Sequence, residues 1–427
     1  MHIKISKLMN FSWIFFGASI STLPAVDSLR VNLGFITLPM PVLIIIIIMI
    51  LSPILYRKKE LTISKTYLSL IIISYFLLMW SSLSIIMNIN NYGLMSNYQV
   101  GLKELVKLTM SITVFIYILA FFKPDKKFIE NFWKVVLWSS TLVLGFFIIR
   151  SLANGNLFLS TSMIDMTERL GRNVTGWFAS MLFPFALVYL FLCKGIKNKM
   201  IHFIPFSVIL FAAMYSLSRS AWIMCVISIF TFLWFVSKVS PKIAIRAFFI
   251  ILLISISMII GIASIVDDFY IFAEFLEKLL WFTNITSGTE TYNTFDQRFT
   301  RIFDALNIFS HYPVFGVGMG NFVHHPLSLG GQAHNDYALI LGETGIAGLI
   351  LIFLLIIISL ICLRNKGKFQ GIEKVSWTYF ASKMTFFNLI FSMLFVDAYR
   401  TPQVWIFLSL VLITIRSCEE YFVNFEK

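Results

Sequence analysis

The residues best suited to chemistry are gathered between Asp267 and Asp336, the one long hydrophilic segment of the chain, which holds four of the six histidines. One of these, His334, stands directly before an apolar run that begins at Tyr337, so it is expected at the edge of an apolar layer. An imidazole has an ordinary pKa of about 6.5 and can accept a proton near neutral pH. His334 is therefore predicted to be a general base.

Other histidines offer alternatives. His324 and His325 form a rival pair, and a zinc site built from His311, His324, His325 and His334 is a further alternative. Zinc sites usually show recognisable ligand spacings, and this set matches none of them. The four cysteines show no CxxC spacing. No metal and no other cofactor is predicted.

Polar residues that follow His334 are predicted to support it. Asn335 and Asp336 are suited to cap the helix that begins after them. Glu343 falls inside an apolar run and should face the protein interior. Asp397 and Arg400 flank a short turn, where they could pair with each other or line the same pocket.

The composition shows which kind of secondary structure must position these residues. The chain has 427 residues, of which 58% are hydrophobic and 13% charged, with a mean hydropathy of +0.85, so it is an integral membrane protein. A span needs about 20 apolar residues. The predicted fold is all-α and polytopic, a single membrane domain over 1–427 with about twelve spans and one long loop at 267–336, between the ninth and tenth. The predicted spans lie near 8–26, 34–56, 67–88, 107–122, 132–150, 174–193, 201–217, 220–237, 243–266, 337–363, 377–396 and 402–416.

The short basic loops predict the orientation. The first span is interpreted as an uncleaved anchor. By the positive-inside rule the basic loops and both termini are cytoplasmic, and the loop at 267–336 is outside, the periplasmic side of a bacterial inner membrane.

The basic loops explain the net charge of +13, and no aromatic residues interleave with an outer basic face, so no nucleic-acid partner is predicted. The basic loops are Arg57–Lys59, Lys123–Lys134, Lys194–Lys199, Lys238–Arg246 and Arg364–Lys374.

The basic residues on the outer side are mostly arginines. Arginine presents a planar fork of donors that matches phosphate oxygens, although any one of these residues could instead contact a lipid headgroup. Arg219, between two spans with almost no loop and flanked by serines, is the strongest candidate. The outer arginines are Arg30, Arg150, Arg169, Arg172, Arg219, Arg298, Arg301 and Arg400.

An amphipathic helix is predicted between Asp296 and Ser310, lying on the membrane surface, with Arg298 and Arg301 one turn apart at the border of its apolar stripe. Both arginines would point along the interface. The stripe consists of Phe299, Ile302, Phe303, Leu306 and Phe309.

Taken together, these motifs resemble the bacterial O-antigen ligase and O-antigen polymerase superfamily. The resemblance covers the middle and C-terminal half of the chain, while the first 150 residues match only in the pattern of spans. It rests on Ser218-Arg219, on Arg301 with Ala305-Leu306, on the run from His311 to Phe322 (HYPVFGVGMGNF), and on His334-Asn335-x-Tyr337 with Glu343-x-Gly345-Ile346-x-Gly348.

The resemblance implies a glycosyltransferase on the periplasmic face, whose donor is a glycan linked to undecaprenyl diphosphate. His334 looks like the essential histidine that activates the acceptor hydroxyl, and Arg219 and Arg301 look like the arginines that bind the diphosphate. Arg172 and Arg298 are added to the diphosphate site from their location alone.

Three functions compete. The preferred one is a polymerase, which passes the growing chain to a lipid-linked repeat and for which a chain-length regulator is an expected partner. The alternative within the superfamily is a ligase, which passes the finished chain to lipid A core. From another class, a flippase or transporter would place ionisable groups near mid-membrane and show repeated halves. No convincing internal repeat is seen, and the reaction is expected to be metal-independent and inverting.

Overall fold

The computed structural model is a helical bundle. It describes residues 5–22, 30–32, 37–55, 63–89, 95–153, 166–192, 195–216, 218–238, 240–265, 290–328, 331, 333–364 and 377–425. The first part of the predicted loop, up to residue 289, lies outside the described residues.

The described residues form thirteen α-helices, a short 3-10 helix at Phe322–His324, and one antiparallel pair of strands, Arg30–Asn32 (β1) with Thr37–Pro39 (β2). The helices are α1 (Ile5–Ile20), α2 (Met40–Leu55), α3 (Lys65–Met87), α4 (Met95–Phe121), α5 (Lys126–Ala153), α6 (Met166–Leu192), α7 (Ile196–Tyr215), α8 (Arg219–Ser237), α9 (Pro241–Ile265), α10 (Glu290–His311), α11 (Asp336–Cys362), α12 (Trp377–Ser392) and α13 (Pro402–Phe425).

Each of the twelve predicted spans overlaps one of these helices, although the second, at 34–56, also includes β2, and α10 is the described helix that lies outside them. Within the described residues, eight helices are long and apolar enough to cross a membrane, which confirms the helical multi-pass class. The number twelve itself stays a prediction. These eight are α3, α4, α5, α6, α7, α8, α11 and α13.

One predicted boundary is wrong by a functionally important margin. The fourth span was predicted to begin at residue 107, but α4 begins at Met95. The charged residues Lys103, Glu104 and Lys107 interrupt the apolar run and hide the first three turns of the helix. Those turns carry Glu104 into the protein, where it meets a cation from a distant part of the chain.

Helix α6 is the central element of the bundle. It packs on α7, α8 and α12, and its phenylalanines Phe178, Phe183 and Phe185 are fully buried. The Phe185 ring stacks on Trp133 of α5 with 3.7 Å between centroids. On the other side of the bundle, α11 packs on α3 and α10, and α13 packs on α4 and α12. The helices that carry the predicted site are thus held from both sides.

Helix α11 is broken at Gly345, whose φ of 69° and ψ of −165° leave the helical region. The break leaves the carbonyls just before Gly345 without their usual partners inside α11. The glycine-rich turn at Gly316–Gly320 supplies donors to them instead. The amide of Val317 donates to the Gly342 carbonyl at 2.9 Å, and that of Gly318 donates to the Glu343 carbonyl at 3.0 Å. The turn is therefore fixed to α11 by backbone pairing.

Helix α3 closes the other side of the same turn. The Asn88 side-chain amide donates to the Gly316 carbonyl at 3.1 Å, and the Trp80 indole donates to the Thr344 carbonyl at 2.9 Å. The Trp80 ring also stacks on Phe315, with 4.8 Å between centroids. The run from Tyr312 to Asn321 is thus clamped between two helices.

We expect Gly345→Ala to destabilise the protein by about 1–3 kcal/mol or more, because a Cβ there would enforce a strained positive φ. It would also stand 2.7 Å from the Pro313 carbonyl oxygen. Thermal unfolding of the detergent-solubilised protein measures the effect. The matched control is Gly145→Ala in α5, where the nearest atom would lie 3.9 Å away. An equal loss of stability in both variants would contradict this account of the break.

Candidate active site

His334 lies at the start of α11 beside a carboxylate from the turn between α12 and α13. Its Nδ1 is 3.6 Å from Oδ2 of Asp397, an ion-pair distance, and 47% of its side chain is exposed. Its φ of 50° is the one positive value among the non-glycine residues that the structure describes. Such a conformation persists only where the surroundings enforce it, so His334 is held in a set direction.

The surroundings that enforce it are hydrogen bonds between the start of α11 and the turn at 393–401. Oδ1 of Asp397 accepts from the Asn335 amide at 2.9 Å. Oδ1 of Asp336 accepts from the amides of Ala398 at 2.8 Å and Tyr399 at 3.0 Å. The Asn335 side chain accepts from the Ala338 amide at 3.0 Å, which confirms it as the cap of α11.

Glu343 is buried beneath this turn, as predicted for a carboxylate facing the protein interior, with 1% of its surface exposed. Its Oε1 accepts from the amide of Gly320 at 2.9 Å and from Nη2 of Arg400 at 3.3 Å. Its Oε2 accepts from the hydroxyl of Tyr399 at 3.1 Å. One carboxylate therefore joins the glycine-rich turn to the turn that carries Asp397.

Arg400 extends this network to α4. Its Nη1 lies 3.3 Å from Oε2 of Glu104, and Oε1 of Glu104 lies 2.6 Å from Nζ of Lys107. Lys107, Glu104, Arg400 and Glu343 thus form a chain of alternating charge, defined here as the charge chain. Sequence reasoning missed Glu104 and Lys107, and proposed Asp397 as a partner of Arg400. The described ion pairs of Arg400 are with Glu104 and Glu343.

Charged neighbours keep Arg400 protonated. Burial lowers the pKa of Arg400, but the charges of Glu343 and Glu104 outweigh burial and raise its pKa above the ordinary value. Burial and the Glu343 charge raise the pKa of Tyr399 well above its usual range, so its phenol remains a donor. Arg400 is engaged by two carboxylates, which makes it a structural cation rather than a phosphate ligand.

Arg301 lies on α10, toward the segment that leads to His334. It pairs with Asp304 at 3.1 Å, and its guanidinium is packed so closely on Gly331 that a Cβ there would stand 2.9 Å from Nη2. Helix α10 is longer than the predicted 296–310. Its residues Phe299, Phe303 and Leu306 are exposed, so an apolar stripe faces away from the bundle.

Arg219 is the first residue of α8, at the predicted turn between two spans. It is half-buried and follows Ser218, whose hydroxyl lies 3.0 Å from that of Ser220. Helix α8 packs on α12, whereas α10, which carries Arg301, packs on α11. The two arginines therefore lie on helices that pack on different neighbours. Arg172 and Arg298 lie in α6 and α10, and their side chains are outside the described residues.

The rival histidines differ from His334 in their surroundings. His325 is buried, its Nδ1 accepts from the Leu327 amide at 3.3 Å, and its ring meets Tyr312 edge-on. Burial, and then the charge of His311, lowers the pKa of His325. His324 is exposed. In the part of the chain that the structure describes, no three His, Cys, Asp or Glu side chains come together as metal ligands.

The apolar helices enclose buried, paired charges at one end, and His334 there is open to the surroundings. These features define a multi-pass membrane protein with a polar site at one end of its bundle. Residues 204–353 match the family described as O-antigen ligase. This match covers about a third of the chain and supports the resemblance to the O-antigen ligase and polymerase superfamily. The family is one of membrane enzymes for glycosyl transfer with lipid-linked glycan substrates.

The matched segment runs from α7 into α11 and includes Arg219, Arg301 and His334. It ends before the turn that supplies Asp397 and Arg400. A search of curated proteins finds no match to the chain.

We expect Arg400→Ala to destabilise the protein by about 3–5 kcal/mol, because it leaves Glu343 buried without its cation. The matched control is Lys107→Ala at the exposed end of the charge chain, where 47% of the side chain reaches solvent. Loss of that pair should cost about 1 kcal/mol or less. Chemical or thermal unfolding in detergent compares the two. A similar small loss in both variants would show that Arg400 does not stabilise the buried carboxylate.

Proposed function

We propose that the chain is a glycosyltransferase that acts on the periplasmic face of a bacterial inner membrane and takes a glycan from undecaprenyl diphosphate. The observation that carries this proposal is the His334–Asp397 pair, held at the start of α11 in an enforced backbone conformation and open to the surroundings. His334 lies within the segment that matches the O-antigen ligase family, and Asp397 lies after it. Both termini are cytoplasmic in this proposal, and the exposed stripe of α10 lies on the membrane surface.

His334 acts as the general base. Asp397 faces Nδ1, which leaves Nε2 for the acceptor hydroxyl. As the hydroxyl oxygen attacks the anomeric carbon, its proton passes to Nε2, and the Asp397 carboxylate stabilises the imidazolium that forms. The bond from the anomeric carbon to the diphosphate oxygen breaks at the same centre, so that the configuration inverts and undecaprenyl diphosphate departs.

Arginines stabilise the departing group. Diphosphate gains negative charge as its bond to the sugar breaks, and fixed guanidinium donors are suited to that charge. Arg219 begins α8, which packs on α12, and Arg301 lies on α10, which packs on α11. We assign the diphosphate to these two residues, with Arg298 and Arg172 as further ligands, and assign no step to a metal ion.

We expect His334→Ala to lower kcat by about 100- to 10,000-fold, the usual contribution of a general base. The measurement is glycan transfer by the purified enzyme from a defined lipid-linked donor. His324→Ala, an exposed histidine in the same segment, serves as the matched control and should keep the unmodified rate. An active His334→Ala enzyme would overturn the proposed role.

The same assay shows whether Asp397 takes part in proton transfer at His334 or only orients the start of α11. Asp397→Asn should lower kcat by about tenfold or more, because the amide cannot stabilise the imidazolium that forms when His334 accepts the proton. An unchanged kcat would show that Asp397 only holds the Asn335 amide.

We expect Arg219→Ala and Arg301→Ala each to weaken donor use by about tenfold or more, since each removes a charge-assisted contact to the diphosphate. Activity should persist in EDTA. Arg364→Ala, an exposed arginine after α11, is the matched control and should leave kcat/KM unchanged. Loss of activity in EDTA, with recovery on adding a divalent cation, would assign the diphosphate to a metal instead.

The acceptor distinguishes two forms of this function. Our preferred form is a polymerase that extends lipid-linked repeats, with a chain-length regulator as partner. The description of the matching family favours the second form, a ligase that transfers the glycan to lipid A core. Deleting the gene separates them: a single repeat on the core indicates a polymerase, whereas bare core with accumulated lipid-linked polymer indicates a ligase.

A further inference from the structure

Two contacts hold the guanidinium of Arg301, one from its own helix and one from the segment that leads to His334. The side chain is 16% exposed, so the surrounding protein encloses most of it. A ligand group that is fixed before its partner arrives binds more tightly than a mobile one, because ordering a long side chain costs free energy on binding. The contacts that fix Arg301 therefore bear on its proposed role.

The packing of α10 on α11 fixes the backbone of Arg301. Arg301, Ala305 and Ile308 recur at spacings of four and three residues, so they share one face of α10, and both apolar residues are fully buried. A Cβ added to Gly342 of α11 would stand 3.8 Å from the Ala305 Cα, so the two helices approach closely there. What remains to be set is the direction of the Arg301 side chain.

The first contact that sets this direction is an ion pair within α10. Nη1 of Arg301 lies 3.1 Å from Oδ2 of Asp304, three residues later in the helix, and the Asp304 side chain is 10% exposed. Because this carboxylate is largely shielded from water, the pair is screened less than a surface ion pair. It fixes the end of the guanidinium that carries Nη1.

The second contact comes from Gly331, three residues before His334. A Cβ added there would stand 2.9 Å from Nη2 of Arg301 and 3.2 Å from both Cζ and Nε, closer than a side-chain carbon ordinarily comes. The Gly331 backbone therefore lies against the part of the guanidinium that carries Nε and Nη2. Its φ of 141° is also one that residues with a side chain rarely adopt. Glycine at this position lets the chain pass directly against Arg301.

We propose that Gly331 is a positioning residue for the donor: its backbone supports the Arg301 guanidinium in the direction that the diphosphate oxygens require. The inference rests on the proposed function, which assigns the diphosphate to Arg301. The segment that supports this ligand continues to the general base, His334, three residues later. The position of the donor and that of the base are thereby set by the same stretch of backbone.

Gly331→Ala tests this role without removing a charge. A flexible guanidinium can move aside for the new methyl group, so the variant should fold but lower kcat/KM for the lipid-linked donor by about tenfold, as loss of one charge-assisted contact would. Gly195→Ala is the matched control. Gly195 also has a positive φ, 88°, but the nearest atom to its added Cβ would lie 3.9 Å away. That variant should keep the unmodified rate.

A double variant, Gly331→Ala with Arg301→Ala, decides whether Gly331 acts through Arg301. Without a guanidinium to displace, it should lower kcat/KM no further than Arg301→Ala does alone. A further loss in the double variant, or an unchanged kcat/KM in Gly331→Ala, would overturn the proposal. Unimpaired donor use by the Arg301→Ala enzyme would instead refute the assignment of the diphosphate to Arg301.

Hydrogen exchange in the unmodified protein keeps the test independent of how Gly331→Ala folds. Saturating lipid-linked donor should slow the exchange of amides between residues 331 and 336, because Arg301 then contacts both the diphosphate and the backbone of this segment. The protection should be lost in Arg301→Ala. Protection that persists in that variant, at a donor concentration that saturates it, would show that the segment responds to the donor without Arg301 and would contradict the proposal.

Discussion

A buried carboxylate, Glu343, is the interaction on which the rest of the site depends. Removing a charge from water costs several kcal/mol unless partners replace the lost hydration. Glu343 obtains those partners from the Gly320 amide, the Tyr399 hydroxyl and the Arg400 guanidinium. These partners come from two parts of the chain, the glycine-rich turn and the turn at 393–401, so the protein must bring both parts to Glu343 to bury this one group.

This convergence explains how a histidine on an open surface keeps a defined direction. Arg400 and Tyr399 anchor the turn at 393–401, and that turn holds Asp397 against His334. The break at Gly345 allows the glycine-rich turn to pair with α11 and to present the Gly320 amide to Glu343. Buried hydrogen bonds and ion pairs thus position the polar groups of the site, while the face that would meet substrate stays open.

The parts of this arrangement that sequence reasoning predicted depend on neighbours in the chain. Apolar runs predicted the helices, an asparagine before an apolar run predicted the cap of α11, and Glu343 inside such a run predicted its burial. The charge chain could not be predicted in this way. In the sequence, Glu104 only interrupts an apolar run. Nothing near it in the chain shows that it pairs with Arg400, almost 300 residues later. Which helices pack together is likewise information that local periodicity does not contain.

The charge chain also sets how the site responds to the medium. Salt screens exposed charges over about 8–10 Å in ordinary buffers, but it reaches buried pairs far less. Only Lys107 at one end is widely exposed, and Glu104, Arg400 and Glu343 lie inside. A frame built this way keeps its geometry when the ionic strength outside the bundle rises or falls. The medium around His334 can therefore change in salinity while the scaffold beneath this residue stays fixed.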